Sequence, residues 1–260
     1  MYKTILFELT DQILTVTLHR PEVYNAFDDE MSFELQDALK KAARDEQVRV
    51  VVLTGAGDKA FSSGQDLNAD RGDDPKRFSD SLHRRYNPII RAICAMPRPV
   101  ICRLNGVAAG AGCSLALACD VIIAAESASL ALGFINIGLV PDSGATYFLP
   151  RAVGYHKAFE LVSRGGRISA TEALQLGLVN RVEKAADLDA AVQGEASYYA
   201  GAPTRAVALI KKMLRKGATE SLDAALAYEA YCQQIAGGTA DHKEGRDAFL
   251  EKRKAIFRGR

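Results

Sequence analysis

The chain has 260 residues, of which 48% are hydrophobic and 25% charged, and its 33 basic and 32 acidic side chains leave a formal net charge of +1. This composition is typical of a soluble globular protein that buries its core in one large domain or two small ones. The balanced charge gives no overall attraction to nucleic acid or anionic membranes, and no apolar run is long enough to span a bilayer. We therefore expect no nucleic-acid partner and no membrane partner.

The cysteines and histidines indicate the same class of protein. The five cysteines form no C-x-x-C pair, and most lie among apolar residues, which favours buried reduced thiols. The first residues lack the apolar stretch and cleavage site of a signal peptide, so we expect a cytoplasmic protein. The four histidines are dispersed without the spacing of metal ligands, and we predict neither a metal site nor a bound cofactor.

Strand and helix patterns alternate along the first half of the chain. Alternation over 14–18 predicts a half-buried strand, and the apolar spacing over 31–42, after acidic residues at 28 and 29, predicts an amphipathic helix. Residues 75–96 are predicted to form another helix. Nearly continuous apolar runs predict strands buried on both faces at 48–54, 100–104 and 121–125.

Strand patterns stop after about residue 185. The remainder reads as helices separated by glycine- or proline-containing breaks, over 187–200, 203–216, 221–235 and 241–255. The sequence therefore predicts an α/β core followed by a helical C-terminal region, with a boundary near residue 195.

Three glycine-rich segments remain to be explained: Ala60–Leu67, Asn105–Ser114 and Gly138–Gly144. They contain no complete dinucleotide-binding fingerprint, no P-loop and no nucleophile elbow. One interpretation is tight turns and close helix packing. The other is that small residues at a helix start leave backbone N–H groups open, which can polarise a carbonyl oxygen. A second N–H, from the Ser-Gly-Gln loop, would then complete an oxyanion hole.

Four motifs in order make the chain resemble the enoyl-CoA hydratase/isomerase (crotonase) superfamily nearly from end to end. They are His19–Ala26, Ala60–Leu67, Pro99–Asp120 and Glu244–Arg253. The resemblance implies an α/β fold, a crotonase-like spiral of ββα turns, over 1–195, and a helical C-terminal trimerisation region over 196–260. It also implies a homotrimer or a dimer of trimers. The implied substrate is an acyl-CoA thioester, so that coenzyme A enters as part of the substrate.

The resemblance also assigns residues to a site. The oxyanion-hole donors fall on the backbone N–H groups of Gln65 and Ala111. Two of the implied substrate and CoA contacts, Phe249 and Lys252, come from a neighbouring subunit. The alternative interpretation of the chain end is a solvated basic tail. The implied contacts are Arg20, Ala60, Ser63, Gln65, Asp66, Leu67, Asn68, Ala111, Phe134, Phe249 and Lys252.

The chain departs from the hydratases of the family, which use two glutamates. Ser114 and Phe134 stand at the matching positions, and neither side chain exchanges protons near neutral pH. One carboxylate remains nearby, Asp142, where related isomerases carry an aspartate that moves the proton. Together with Arg85–Pro88 and the glycine-rich segments, it makes the chain most like the 1,2-epoxyphenylacetyl-CoA isomerases of phenylacetate degradation.

The resemblance thus predicts an isomerase that shifts a double bond, or opens a ring epoxide to an oxepin, with Asp142 as the proton shuttle. An allylic shift needs only one base on one face. The alternatives are a hydratase-like lyase with non-standard acid and base residues, a hydrolytic or covalent acyl-CoA enzyme, and a non-catalytic CoA-binding or RNA-binding relative.

Several of these residues also have a structural interpretation. Asp142 could cap the following helix, Asp66 could anchor its loop, and Asp120 could hold packing behind the oxyanion helix. We expect Ser114 to be a spacer. Three aromatic residues could either line an acyl pocket or fill the core, namely Tyr86, Phe134 and Tyr147.

Overall fold

The computed structural model describes residues 1–68 and 76–260, with the backbone alone at 76 and 77. In this part of the chain the strands are β1 (Ile5–Thr10), β2 (Ile13–Leu18), β3 (Val50–Gly55), β4 (Ala60–Ser62), β5 (Val100–Leu104), β6 (Val107–Ala109), β7 (Val121–Ala125), β8 (Ser129–Ala131), β9 (Arg167–Ser169) and β10 (Arg181–Glu183). The helices are α1 (Asp29–Arg44), α2 (Lys76–Ser81), α3 (Asn87–Ala95), α4 (Ala111–Ala118), α5 (Ala145–Val153), α6 (Tyr155–Arg164), α7 (Ala170–Gln175), α8 (Leu188–Gly201), α9 (Thr204–Gly217), α10 (Leu222–Gly237) and α11 (Ala240–Leu250).

The strands form two sheets that the chain visits in turn. The six-stranded sheet has the order β1-β2-β3-β5-β7-β10, and the four-stranded sheet has the order β4-β6-β8-β9. Each pass contributes one strand to each sheet, first β3 and β4, then β5 and β6, then β7 and β8. The predicted spiral of ββα turns is confirmed.

The strand and helix patterns fold for the reasons that the sequence suggests. All six residues of β3 are buried, as expected for a parallel strand covered on both faces. The α1 helix begins at the predicted acidic cap, where the Asp28 carboxylate accepts a hydrogen bond from the Met31 N–H at 2.8 Å. Its apolar face then packs into the core through Leu35 and Leu39.

The helix predicted over 75–96 is interrupted in its described part, which begins at residue 76 because residue 75 lies outside the described residues. A π-helical turn, Leu82–Tyr86, separates α2 from α3. The reason is Pro88, which has no N–H to continue the hydrogen-bond ladder.

The C-terminal helices agree with the prediction except at the chain end. The last helix ends at Leu250 rather than at 255, because Lys252 adopts a left-handed conformation with φ 55°. The N–H of Arg253 then bonds the carbonyl of Ala248 at 3.0 Å, which closes a Schellman-type helix end. The final residues are bound to the fold and are not a free tail, since the Asp241 carboxylate accepts bonds from two of their N–H groups at 2.7 Å.

Helix α8 crosses the predicted boundary at 195/196. Its buried residues Leu188, Val192 and Ala196 pack it against the six-stranded sheet. The assignment of 196–260 to trimerisation stays a prediction. Within residues 1–68 and 76–260, no helix is both long and apolar enough to cross a membrane.

Candidate active site

The start of α4 presents an open backbone donor. Gly110 precedes the helix with φ 52°, and its own N–H bonds the carbonyl of Ala131 at 2.9 Å. The N–H of Ala111 finds no acceptor among the described residues. Since the first N–H groups of a helix carry the positive end of its dipole, this donor suits an oxygen that gains negative charge.

The loop after β4 presents a second donor. The Phe27 N–H bonds the carbonyl of Gly64 at 2.7 Å, and the Asp66 N–H bonds the carbonyl of Phe27 at 2.9 Å. In such a parallel bridge the residue between, Gln65, directs its N–H away from the bridging strand. That N–H also lacks an acceptor in the part of the chain that the structure describes.

Two glycines allow these segments to touch. Gly64 has φ +88°, and a Cβ there would lie 2.8 Å from the carbonyl oxygen of Ala109 and 3.3 Å from the nitrogen of Ala111. A Cβ on Gly112 would lie 2.5 Å from the carbonyl oxygen of Ser62. Both glycines are therefore required by close backbone contact, and the two predicted oxyanion donors lie on adjoining segments.

Asp142 lies beside the same helix end. The Ser114 hydroxyl, on the first turn of α4, donates a hydrogen bond to the backbone carbonyl of Asp142 at 3.0 Å. The Asp142 side chain does not cap α5, because Gly144 is the N-cap and no side-chain bond closes that end. The capping interpretation of Asp142 is thus wrong, because its carboxylate does not bind the N-terminal end of α5.

The surroundings of the Asp142 carboxyl raise its pKa above the ordinary value of an aspartate. Burial raises the pKa of this group, while a 2.8 Å hydrogen bond from the Ser143 hydroxyl opposes the rise. Among the described residues, no lysine, arginine or histidine forms an ion pair with it. A raised pKa brings an aspartate closer to the range in which it can exchange protons near neutral pH.

The aromatic side chains divide between this site and other places. Phe134 is 9% exposed, and its ring lies 3.8 Å from the position of a Cβ on Gly110, so it covers the oxyanion turn. Tyr86 is buried, and its hydroxyl donates to the Gln65 side-chain oxygen. Tyr147 instead stacks against the Arg151 guanidinium at 3.7 Å, at a cleft of about 370 Å³ near the other end of α4.

Arg20 and Asp66, two of the predicted contacts, form an ion pair with each other. The guanidinium of Arg20 bonds the carbonyl of Ala26 at 2.7 Å and pairs with Asp28 at 3.2 Å and Asp66 at 3.1 Å. Asp66 also accepts a bond from the N–H of Asn68 at 3.1 Å. These bonds make Asp66 an anchor of the loop, as its structural interpretation expects, and Arg20 another, while contacts of Arg20 and Asp66 with CoA stay predictions.

The other predicted contacts of this loop differ in exposure. Ala60 is buried, and its carbonyl accepts the side-chain amides of Asn25 and Asn105 at 2.9 and 3.1 Å. Ser63 and Leu67 are exposed, with Leu67 at 66%. An exposed apolar side chain beside the open donors is available to a ligand.

Phe249 and Lys252 lie at the end of α11, in the C-terminal region, and both side chains are exposed. Phe249 is 83% exposed, which is unusual for a large apolar residue. Their assignment to a site completed by a second subunit stays a prediction.

Sequence reasoning missed several residues that hold the site together. Asn25 and Asn105 bind the backbone of the β4 region through their amides, and Ser143 binds the Asp142 carboxylate. Asn25 adopts φ 55°, a conformation that asparagine tolerates better than most residues. The position of Ser143 between an aspartate and a glycine was a local signal for its bond to Asp142. No local signal in the sequence points to the partners of Asn25 and Asn105.

The thiols take no visible part in the site. All five cysteines are free, and burial raises the pKa of Cys113, within α4, to about 12. Such a thiol is a poor nucleophile at neutral pH. Residues 1–68 and 76–260 contain no cluster of three or more His, Cys, Asp or Glu side chains that could hold a metal ion.

Comparison with known proteins agrees with this geometry. Residues 8–260 match the Enoyl-CoA hydratase/isomerase family. The chain is 42% identical over 264 residues to the 1,2-epoxyphenylacetyl-CoA isomerase of Escherichia coli (strain K12), with all of both chains covered. It is also 42% identical over 259 residues to a probable enoyl-CoA hydratase of Rhodobacter capsulatus, covering 100% of this chain and 99% of the relative.

The solved structures agree as well. An enoyl-CoA hydratase from Bacillus anthracis superposes with a TM-score of 0.95 at 34% identity, covering 99% of this chain and 100% of that one. Three findings agree: two open backbone donors lie on adjoining segments, a carboxylate lies at the same helix end, and the chain matches one family over its full length. The chain belongs to the enoyl-CoA hydratase/isomerase (crotonase) family.

Proposed function

We propose that this protein is an acyl-CoA isomerase that moves a double bond in an enoyl-CoA thioester, with Asp142 as the proton shuttle. The observation that carries the proposal is the Ser114 hydrogen bond to the Asp142 backbone, which holds a carboxylate with no cationic partner among the described residues beside the helix end that offers the Ala111 N–H. The similarity to a 1,2-epoxyphenylacetyl-CoA isomerase supports a ring-epoxide thioester as a second substrate of the same site.

The chemistry follows from three groups. The thioester carbonyl oxygen accepts hydrogen bonds from the N–H groups of Gln65 and Ala111, which acidifies the proton on the carbon next to the carbonyl. The Asp142 carboxylate takes that proton, and the charge of the resulting dienolate rests on the bound oxygen. The carboxylic acid then returns the proton two carbons away, which gives the conjugated 2-enoyl thioester and restores the carboxylate. No cofactor enters this scheme, and coenzyme A is part of the substrate.

The site is less suited to hydration, although several relatives carry the name of hydratase. Ser114 and Phe134 occupy the positions where the resemblance calls for the two glutamates of a hydratase. The Ser114 hydroxyl is bound to the Asp142 backbone, and Phe134 is an apolar side chain over the oxyanion turn. Neither can take a proton from water near neutral pH, so hydration would depend on Asp142 alone.

We further propose that the active protein is a trimer or a dimer of trimers. The C-terminal helices expose large apolar side chains, which soluble monomers rarely gather on one region. They are Ile210 and Leu214 on α9, Leu222 and Leu226 on α10, and Phe249 and Leu250 on α11, each more than half exposed.

The test compares wild-type protein with Asp142→Asn on a 3-enoyl-CoA, following the absorbance of the conjugated product. We expect turnover to fall by about 10²–10⁴-fold, the usual contribution of a general acid-base group. The dissociation constant for a saturated acyl-CoA should stay within about twofold, because the asparagine keeps the shape of the side chain. The matched control is Asp11→Asn, an exposed position in the β1–β2 turn where asparagine also accepts the left-handed backbone.

Other outcomes separate the competing functions. Wild-type turnover in Asp142→Asn rejects the shuttle assignment. Hydration without isomerisation in wild-type protein favours the lyase, and burst release of free acid favours covalent chemistry. Tight acyl-CoA binding with no turnover of either thioester favours a non-catalytic relative.

A further inference from the structure

The π-helical turn before α3 is explained by Pro88 and is bound by a side chain of α1. In a regular α-helix the carbonyl of Arg84 would bond the N–H of residue 88, but Pro88 has none. The chain accommodates this by a wider turn, in which the N–H of Asn87 reaches back to the carbonyl of Leu82.

Helix α1 supplies the missing donor. The side-chain amide of Gln36 donates to the carbonyl of Arg84 at 2.9 Å and to the carbonyl of Arg85 at 3.1 Å. The Arg85 guanidinium also pairs with Asp29 at the start of α1. The π-helical turn is therefore fixed from outside by two side-chain contacts with one helix.

The same turn directs Tyr86 at the oxyanion loop. Its hydroxyl donates to the side-chain oxygen of Gln65, and its ring packs edge-on against Phe27 with centroids 5.8 Å apart. Phe27 is the residue whose backbone bridges Gly64 and Asp66 on both sides of Gln65. Tyr86 thus contacts the side chain of Gln65 and the residue that holds the backbone around it.

We propose that Tyr86 is a positioning residue, presented by the Gln36-braced π-helical turn, that fixes the orientation of the Gln65 backbone N–H in the oxyanion hole. The reason is geometric. The Phe27 bridge holds the backbone on both sides of Gln65, and the bond from Tyr86 adds a restraint on the Gln65 side chain, just before the exposed residues 67 and 68. The proposal rests on the proposed function only in assigning the Gln65 N–H to a thioester oxygen.

The first test is Tyr86→Phe, which keeps the ring on Phe27 and removes the hydroxyl alone. We expect kcat for isomerisation to fall by about tenfold, less than the 10²–10³-fold typical of losing an oxyanion donor outright. The KM should change by less than about twofold, because a misaligned donor weakens transition-state binding more than substrate binding. The matched control is Tyr2→Phe, which removes another hydroxyl bond, the one from the N-terminal segment to Asp37 on α1 at 2.7 Å.

The second test reads the donor without turnover. Isotope-edited infrared spectroscopy of a saturated acyl-CoA with a labelled thioester carbonyl measures how strongly the bound oxygen is polarised. We expect the carbonyl band to move to lower frequency in wild-type and Tyr2→Phe protein, and to move less in Tyr86→Phe. An unchanged band together with unchanged kcat in Tyr86→Phe would overturn the proposal. Because this measurement uses no reaction, it gives a result even if the chain proves not to be an isomerase.

Gln36→Leu tests the brace itself. Without the amide, the carbonyls of Arg84 and Arg85 lose their donor, so we expect the carbonyl band and kcat to change in the direction of Tyr86→Phe by a smaller factor. Wild-type values in Gln36→Leu, with altered values in Tyr86→Phe, would contradict the role of the π-helical turn. Circular dichroism and the thermal midpoint of each variant distinguish these effects from misfolding.

Discussion

The two ends of helix α4 carry two aspartates in opposite circumstances. Beyond its C-terminal end, Asp120 accepts the Lys211 ammonium at 2.6 Å, the Arg215 guanidinium at 3.2 Å and the N–H of Val100 at 2.8 Å. Arg215 also bonds the last-turn carbonyl of Ala118 at 3.0 Å. Beside the N-terminal end, Asp142 receives a hydroxyl bond from Ser143 and, in the described part of the chain, no cation.

The difference separates a structural carboxylate from a reactive one. Asp120 joins α9 to the sheet. Its negative charge is paired with two cations, so it is poorly suited to act on a substrate. Asp142 is partly buried and pairs with no cation in the described part of the chain, and burial raises its pKa. The helix dipole agrees with this division, because Arg215 meets the negative end and the open donor lies at the positive end.

The largest effect that tests this comparison is on stability. Asp120→Ala leaves the Lys211 ammonium buried with two backbone carbonyls but no carboxylate, and we expect a loss of about 3–5 kcal/mol in the free energy of unfolding, measured in urea. Asp142→Asn should change that free energy by less than about 1 kcal/mol, since no ion pair is lost. Equal losses in the two variants would remove the distinction between the two ends.

The pH dependence of the same variant sharpens the test. Burial lowers the pKa of Lys211, and Asp120 opposes that shift, so removing Asp120 lowers the pKa further. Between the lowered folded value and the unfolded value of about 10.4, the unfolded chain binds more protons. Stability of Asp120→Ala should therefore rise with pH across that window, and the deficit relative to wild type should shrink.

A smaller effect is expected at the N-terminal end from Gly64→Ala. The added methyl would lie 2.8 Å from the Ala109 carbonyl oxygen, on a backbone with φ +88°. We expect a loss of about 1–3 kcal/mol in stability and a fall in kcat, because the loop must move away from Ala111. Gly57→Ala is the matched control, since it has φ +78° but nothing within 4 Å of the added atom. Similar kcat in both variants would show that close contact at Gly64 is not needed.

The smallest effect concerns the acidity of Asp142. Ser143→Ala removes a hydrogen bond to the carboxylate, and a bond to the charged form lowers a pKa, so the pKa of Asp142 should rise. We expect the acidic limb of the kcat/KM profile to move upward by about one pH unit. A limb that stays in place would mean that the Ser143 hydroxyl does not act on the reactive carboxylate.

Local sequence patterns account for most of the fold. The β3, β5 and β7 strands, the Asp28 cap of α1 and the helices after 185 lie where apolar periodicity and capping residues predict them. The patterns failed where one residue overrides periodicity, at Pro88 inside a helix and at Lys252 in a left-handed helix end. Both are backbone effects that a hydrophobic pattern does not record.

The sequence by itself predicted an α/β core and a helical C-terminal region from local patterns, and the spiral and the candidate residues from the resemblance of its motifs to one family. The tertiary structure decided which of those residues have partners. The Lys211–Asp120 pair spans 91 positions, and the Tyr86–Gln65 contact joins two separate elements. The residues around Asp142 and Asp120 in the chain do not show which of the two carboxylates pairs with cations. Only packing shows that Asp120 pairs with two cations and that Asp142 pairs with none within residues 1–68 and 76–260, because charge pairing depends on distance in space rather than along the chain.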